Sequence, residues 1–254
     1  MRKNPNLILP HRRHREGRTD YHLRLSLLKS GEPRLVVRRS LNNFLCQIVK
    51  FEESGDKVVA SAISSELKEF GWKFHGGNLP AAYLTGLLCA ERAKKHKVSK
   101  AILDIGLYIK TPGNALFSAL KGAVDGGLDV PHSEEALPSE DRISGKHISA
   151  YAEKVMVEDP AKYKKLFSSY LREKADPKDM PVIFEETKKK IIEAKGEKTK
   201  HHAKKAEHKV EHKSEEHHKT EAHHEHKHEV HKEAKHEHTA EAHEHKTEHA
   251  HHKK

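Results

Sequence analysis

The side chains best suited to chemistry in this chain are arginines. Arg12, Arg13, Arg15, Arg18 and Arg24 crowd the segment HRRHREGRTDYHLR. A guanidinium presents a planar fork of N–H donors that matches phosphate oxygens bidentately. Residues 1–50 carry twelve Lys/Arg against three Asp/Glu, and the formal net charge of the whole chain is +10. Nearly all of that charge therefore sits in the first fifth of the sequence. A basic arm joined to one side of a domain is the footprint of a protein that neutralises phosphates. Tyr21 and His22 lie inside the run and add ring faces on which a base can stack. A solvated terminal tail is the plainer alternative. The run continues, however, into PRLVVRRS, with Arg34, Arg38 and Arg39 in a β-branched stretch, and a tail has no need of that. RNA contact is the preferred reading.

Other candidates carry less. Asp104 is a carboxylate inside the apolar run AILDIGLYI. A metal-dependent nuclease would use such an Asp but needs further carboxylates beside it. Glu66 and Asp125 qualify only if the fold gathers them, and a strand-end Asp bonded to backbone or to an arginine is preferred. GGNLPAAYLTG lacks the GxxxxGK[ST] phosphate loop. Asn78 and Pro80 read there as the start of a helix, with an added phosphate contact as the alternative. The segment Lys110, Thr111, Pro112, Gly113, Asn114 joins a strand to a helix, which is a frequent binding position and equally a plain turn.

The C-terminal tail is compositionally unlike the rest. Residues 201–254 hold 18 of the 25 histidines. Pairs at i, i+4 such as His208/His212 and His224/His228 would bind a divalent metal if helical. Residues 195–254 carry 14 Lys against 13 Glu, so histidine protonation decides the sign of the tail. A solvated tail without a ligand is preferred to metal buffering or pH-tuned RNA contact. Cys46 and Cys89 sit among apolar residues outside any CxxC pair and read as buried thiols. No cofactor is expected.

These groups need a scaffold. Pro5 and Pro10 predict an extended arm through residue 20. A helix follows over Tyr21–Leu28, with Thr19 or Asp20 as N-cap and Gly31 beyond its end. Three strands, Arg34–Arg39, Phe44–Phe51 and Lys57–Ser64, form an antiparallel meander. Its turns are Ser40-Leu41-Asn42-Asn43 and the stretch around Gly55-Asp56. A short helical segment, Ser64–Phe70, ends at Gly71. The most secure helix runs from Asn78 to about Lys95. Ala101–Ile109 reads as a strand covered on both faces. A helix over Ala115–Val124, a short strand at Leu128–Val130, an acidic loop over Pro131–Asp141 and a helix over Ile143–Met156 complete the pattern. Strands first, then β-α alternation, predict an α/β domain with a mixed sheet and helices on its faces.

Composition limits the size of the core. The last 59 residues contain no Leu, Ile, Phe, Tyr or Trp. The expected organisation is a basic arm (1–24), an α/β domain (25–157), a helical extension (158–194, with helices over Tyr163–Leu171 and Pro181–Ile192) and a low-complexity tail (195–254). No apolar run approaches the roughly 18 residues of a membrane span. The N-terminal apolar run LIL is too short for a signal peptide. A cytoplasmic protein without a membrane partner is expected.

The residues also resemble a family. HRRHREGRTDYHLRLSLLKSGEPRLVVRRS is similar to the opening of the archaeal and eukaryotic branch of large-subunit ribosomal protein eighteen. The similarity continues colinearly through SSELKEFGWKFHGGNLPAAYLTGLL, AILDIGLYIKTPGNALFSALKGAVDGGLDVPHSEE and RISGKHISAYAEKV. It covers residues 7–157, extends more weakly to MPVIFEETKKKII, and leaves the His-rich tail without a counterpart. The resemblance implies a ribonuclease-H-like mixed sheet without an enzymatic metal site. It implies a non-enzymatic monomer within the ribosome that binds 5S rRNA and anchors it in the central protuberance, beside 23S-type rRNA and neighbouring large-subunit proteins. Carried over by position, the RNA-binding residues would be Arg12, Arg13, Arg15, Arg18, Tyr21, His22 and Arg24 in the arm. Arg38, Arg39, Ser40 and Asn42 would act at the strand end, and Lys110, Thr111, Gly113 and Asn114 in the loop. Two departures shift weight toward the arm: Leu41 stands where the family's turn has Lys, and Ala115 where it often has a basic residue. A nuclease built on Asp104, or a metal-binding protein acting through its tail, are the alternatives.

Overall fold

The computed structural model describes residues 9–194. Its arm is not extended. Arg12–Arg15 form a single helical turn, α1. Pro10 lies upstream of it, where it removes no helical hydrogen bond, and the Arg12 Nε reaches Glu16 at i, i+4. Helix α2 covers Tyr21–Leu28, and the Asp20 carboxylate caps it by accepting from the amides of His22 and Leu23.

The meander is as expected. β1 (Arg34–Arg39), β2 (Phe44–Lys50) and β3 (Lys57–Ile63) pair antiparallel, and β4 (Ile102–Asp104) joins β1 in parallel, giving the order β3-β2-β1-β4. The chain is thus α/β with a mixed four-stranded sheet. The expected nine-residue strand Ala101–Ile109 shrinks to three. The Asp104 Oδ1 accepts from the amide of Gly106, two residues on, and Gly106 takes φ +63°. This Asx-type turn ends the strand and leaves Leu107 and Ile109 exposed. Leu128–Val130 is likewise no strand; only a bridge between Lys100 and Asp129 forms there.

Alternation along β1 puts Leu35 and Val37 on one face and Arg34, Val36 and Arg38 on the other. The first face meets α3 (Leu79–Lys95), started by the Asn78 side chain accepting from the Ala81 amide, and α4 (Ala115–Asp125). The 3₁₀ segment Ser64–Phe70 leads in, ending on Gly71 in the left-handed region.

The predicted helix over Ile143–Met156 breaks at Gly145 into α5 (Glu140–Ser144) and α6 (Lys146–Glu158). Gly145 has φ +84°, and a Cβ there would meet the Met180 sulfur at 2.8 Å. The segment after Asp159 divides into α7 (Pro160–Leu166) and α8 (Ser168–Arg172), followed by α9 (Met180–Glu193). Met180, Phe184 and Ile191 of α9 enter the same core as the sheet. Edge-on ring contacts from Trp72 to Phe74 to Tyr170 tie α8 to it.

α3 and α4 touch backbone to backbone. A Cβ on Gly86 would overlap the carbonyl oxygen of Ala119, and one on Gly122 that of Tyr83. Neither backbone can withdraw without opening the core. Gly86→Ala or Gly122→Ala is therefore expected to cost ~3 kcal/mol or more, the upper end for overpacking. Gly113→Ala meets no atom within 4 Å and carries only the left-handed backbone penalty of ~1–2 kcal/mol. Urea unfolding followed by the buried Trp72 measures both; equal losses at the three positions would contradict the crossing.

Candidate nucleic-acid interface

On the sheet face away from α3 and α4, a chain of alternating charges runs across the molecule. Arg24 on α2 and Arg34 on β1 both donate to the Asp56 Oδ2 in the β2–β3 turn, at 2.9 and 2.6 Å. Arg34 also donates to Asp104 Oδ2 at 2.8 Å. Arg38 donates to Asp104 Oδ1 at 2.9 Å and to the Asp104 carbonyl at 2.6 Å. The Arg34 and Asp104 side chains are only 5% and 7% exposed. Burial opposes ionisation of Asp104 most strongly. The hydrogen bond and charge of Arg38, the Gly106 amide and Arg34 together outweigh it and hold the carboxyl below its ordinary value. Gly106 takes φ +63°, and a Cβ there would press on the Arg38 guanidinium carbon at 3.1 Å.

The arm folds back beside this chain. Arg13 donates from Nε to the Thr19 hydroxyl at 2.9 Å. Arg12 and Arg18 share the Glu16 carboxylate, at 2.7 and 3.3 Å. Arg15 is exposed. One carboxylate thus pairs with two of these four guanidiniums. The Tyr21 ring is already in contact with His11, centroids 5.0 Å apart, and edge-on to His14. His22 is exposed.

At the far end of β1, Arg39 lies over the Phe44 ring, 5.9 Å from its centroid. Ser40 and Asn43 close the turn through their backbone and the Ser40 hydroxyl. Tyr108 donates to the Arg39 carbonyl at 2.6 Å, so the 104–109 segment and the β1 end are one surface. Lys110 and Thr111 are exposed. Gly113 takes φ +70° and donates to the Ala136 carbonyl. The Asn114 side-chain oxygen Oδ1 caps α4, accepting from the amides of Leu116 and Phe117.

Reading the sequence alone misses two things. Asp56 is the first: a turn residue whose role depends on side chains 22 and 32 positions away. The second is a polar hollow of about 320 Å³ beside Asn42, lined by Lys68, Lys73, His75 and Tyr170 among others. The His75 Nε2 lies 3.4 Å from the Asn42 Oδ1. No local pattern joins these segments. A Gly-Gly pair just after His75 is the one cue, since a Cβ on Gly76 would meet the Ser64 hydroxyl.

The carboxylates a nuclease would need are not gathered. Asp104 faces two arginines, Glu66 pairs with Arg92, and Asp125 accepts from Tyr83 and Lys121. No group of three or more His, Cys, Asp or Glu able to hold a metal occurs among the described residues. Burial pushes the Cys89 thiol up to about 12 and raises Cys46 as well, so neither is a thiolate nucleophile near neutrality. His208, His212, His224 and His228 lie outside the described residues. No helix among the described residues is long and apolar enough to cross a membrane.

The family model described as ribosomal large subunit proteins 60S L5, and 50S L18, matches residues 8–98 and 90–133. That stretch holds the arm, the sheet, α3, α4 and the 110–114 loop.

Asp104→Asn leaves Arg34 and Arg38 without their shared anion. The expected loss is on the order of 3 kcal/mol at neutral pH. Because the folded-state pKa of Asp104 is depressed, its contribution is present above the ordinary value of 3.8 and fades as pH falls through the folded value. Urea midpoints should differ by a constant amount from pH 7 to 5, and the gap should narrow below about pH 3.8. A gap that stays constant down to pH 2.5 would show that the ion chain does not carry the stability.

Proposed function

Since the chain belongs to the family of ribosomal large-subunit proteins 60S L5 and 50S L18, and so is an rRNA-binding structural protein of translation, we propose that its RNA is 5S rRNA. On this reading it anchors that RNA in the central protuberance, beside 23S-type rRNA and other large-subunit proteins. The observation that carries the proposal is the division of charge among the arginines. Arg24, Arg34 and Arg38 all pair with Asp56 and Asp104, three charges to two. Among the described residues, Arg12, Arg13, Arg15 and Arg18 have one carboxylate partner, Glu16, which pairs with Arg12 and Arg18, and the four stand exposed on a short, locally ordered arm.

The proposed division of labour follows from that pattern. The arm supplies phosphate contacts, which position the protein and set affinity. The β1 end and the 110–114 loop supply shape: Arg39, Asn42, Lys110 and Thr111 present donors, and Ser40 holds the turn by donating to the Asn43 carbonyl. Gly113 lets the loop turn, and Asn114 fixes the start of α4, so these two act by holding the loop. Arg38 acts mainly through Asp104. The Tyr21 ring already contacts His11 and His14, so His22 is the freer of the two rings.

The test is a salt titration of full-length protein binding to 5S rRNA. Changing Arg12, Arg13, Arg15 and Arg18 together to Ala should weaken binding and reduce the slope of log K against log salt by about 2–3, near the value for four phosphate contacts. Glu16 shares two of these arginines, so the upper limit is not expected. An unchanged slope would remove the arm from the interface. Wild-type binding to 5S rRNA no tighter than to an unrelated RNA of equal length would remove the 5S assignment itself.

A further inference from the structure

The hollow between α2 and β4 has a lining that phosphate contact alone does not use. It holds about 360 Å³ and is bounded by Arg13, Arg18, Leu23, Leu27, Leu107 and Tyr108, with Arg34 and Asp104 behind. That volume falls within the range of small-ligand pockets and exceeds a nucleobase. Its walls are of two kinds. Leu23, Leu27 and Leu107 are apolar, and Leu107 and Tyr108 are 56% and 40% exposed. The guanidiniums stand at its mouth. Arg13 and Arg18 engage Thr19 and Glu16 through their Nε atoms, which leaves their Nη pairs as donors.

One buried atom in the wall needs a partner. The Arg34 side chain is 5% exposed, and its Nη atoms are paired with Asp56 and Asp104. Its Nε is buried without a hydrogen-bond acceptor. Leaving such a donor unmet costs free energy, and the Asp56 and Asp104 pairs hold the guanidinium in place behind the hollow.

We propose that this hollow receives one unstacked nucleotide of the bound RNA. Its base would lie among Leu23, Leu27, Leu107 and Tyr108, and its phosphate at Arg13 and Arg18. The inference rests on the RNA-binding reading and deepens it. Sequence-specific RNA binding proceeds through looped or single-stranded bases splayed from the stack onto aromatic or guanidinium planes. A nucleotide carries the flat apolar faces this lining fits and a phosphate for Arg13 and Arg18. A double-helical segment presents no isolated base and would meet only the rim.

Two measurements test it. The first fills the hollow: Leu27→Trp on the exposed helix α2, in the full chain, with thermal unfolding to confirm the fold. Binding to 5S rRNA should weaken at least tenfold at fixed salt, while the slope against log salt stays at the wild-type value, because the phosphate contacts remain. The second uses the wild-type chain with 5′-AMP, 5′-GMP, 5′-CMP and 5′-UMP as probes. Leucine methyl resonances of Leu23, Leu27 and Leu107 should shift on titration with at least one nucleotide and not with inorganic phosphate. Unchanged affinity of a folded Leu27→Trp chain would overturn the pocket while leaving the arm's role standing. So would methyl groups that respond to phosphate and nucleotide alike. Failure of the wild-type chain to bind 5S rRNA would instead strike the underlying reading, and the nucleotide titration would still decide the pocket.

Discussion

Asp104 is the point on which the open face of the sheet, away from α3 and α4, depends. Its two oxygens hold Arg34 and Arg38 on β1 and the Gly106 amide in its own turn. Arg34 passes the connection to Asp56 and through it to Arg24 on α2. Four separate segments are thereby tied by charge: the helix after the arm, the central strand, a distant hairpin turn and the short edge strand. Hydrogen bonds between ionised groups in a buried setting are short and directional. They also penalise any arrangement that leaves one member unpaired. The chain of charges therefore fixes where the arm leaves the sheet.

The other face is governed by contact distance. Gly86 and Gly122 let α3 and α4 meet at their backbones, which draws α4 close enough to cover β1 while α3 covers β2 and β3. That crossing sets where α4 begins, and hence where Asn114 and the 110–114 loop lie. The two constraints are complementary. Close packing on one face sets the position of the loop, and ion pairing on the other sets the position of the arm. Tyr108, donating to the Arg39 carbonyl, links the two at the sheet edge.

Much of the frame was legible in the sequence because its signals are local. The alternation in Arg34–Arg39 and Phe44–Lys50 marks strands, Asp20 and Asn78 mark helix starts, and Gly71 marks an end; each agrees with the structure. The misreadings have two causes, one local and one distant. AILDIGLYI reads as one strand by hydropathy, yet the Asp104 side chain competes for the backbone and stops it after three residues. Ile143–Met156 reads as continuous by periodicity, yet it breaks at Gly145, where Met180 from the last helix packs against the chain. A local pattern cannot show a neighbour that arrives from 22 or more residues away. The same limit hid Asp56 and the hollow beside Asn42. Among the candidate site residues, the types were legible and the partners were not. Arg38 and Arg12 look alike in the sequence, and only the fold reveals that one faces a buried carboxylate and the other solvent.

That difference bears on how the charge of the chain should be read. The formal +10 counts Arg24, Arg34 and Arg38 equally with the arm, but their fields are largely cancelled at close range by Asp56 and Asp104. Screening by salt removes much of what remains beyond about 10 Å. On the proposed reading, a phosphate approaching the molecule meets the arm arginines and Lys110 rather than the average charge. On the proposed reading, the matched arginines serve a different end. They hold an apolar-walled hollow open beside the arm, so that attraction and fit arise from neighbouring but separate groups. The arm would draw RNA of any sequence, and only a segment able to release a base would gain the hollow as well. Discrimination among RNAs would then depend on the rigidity that Asp104 confers more than on the number of positive charges.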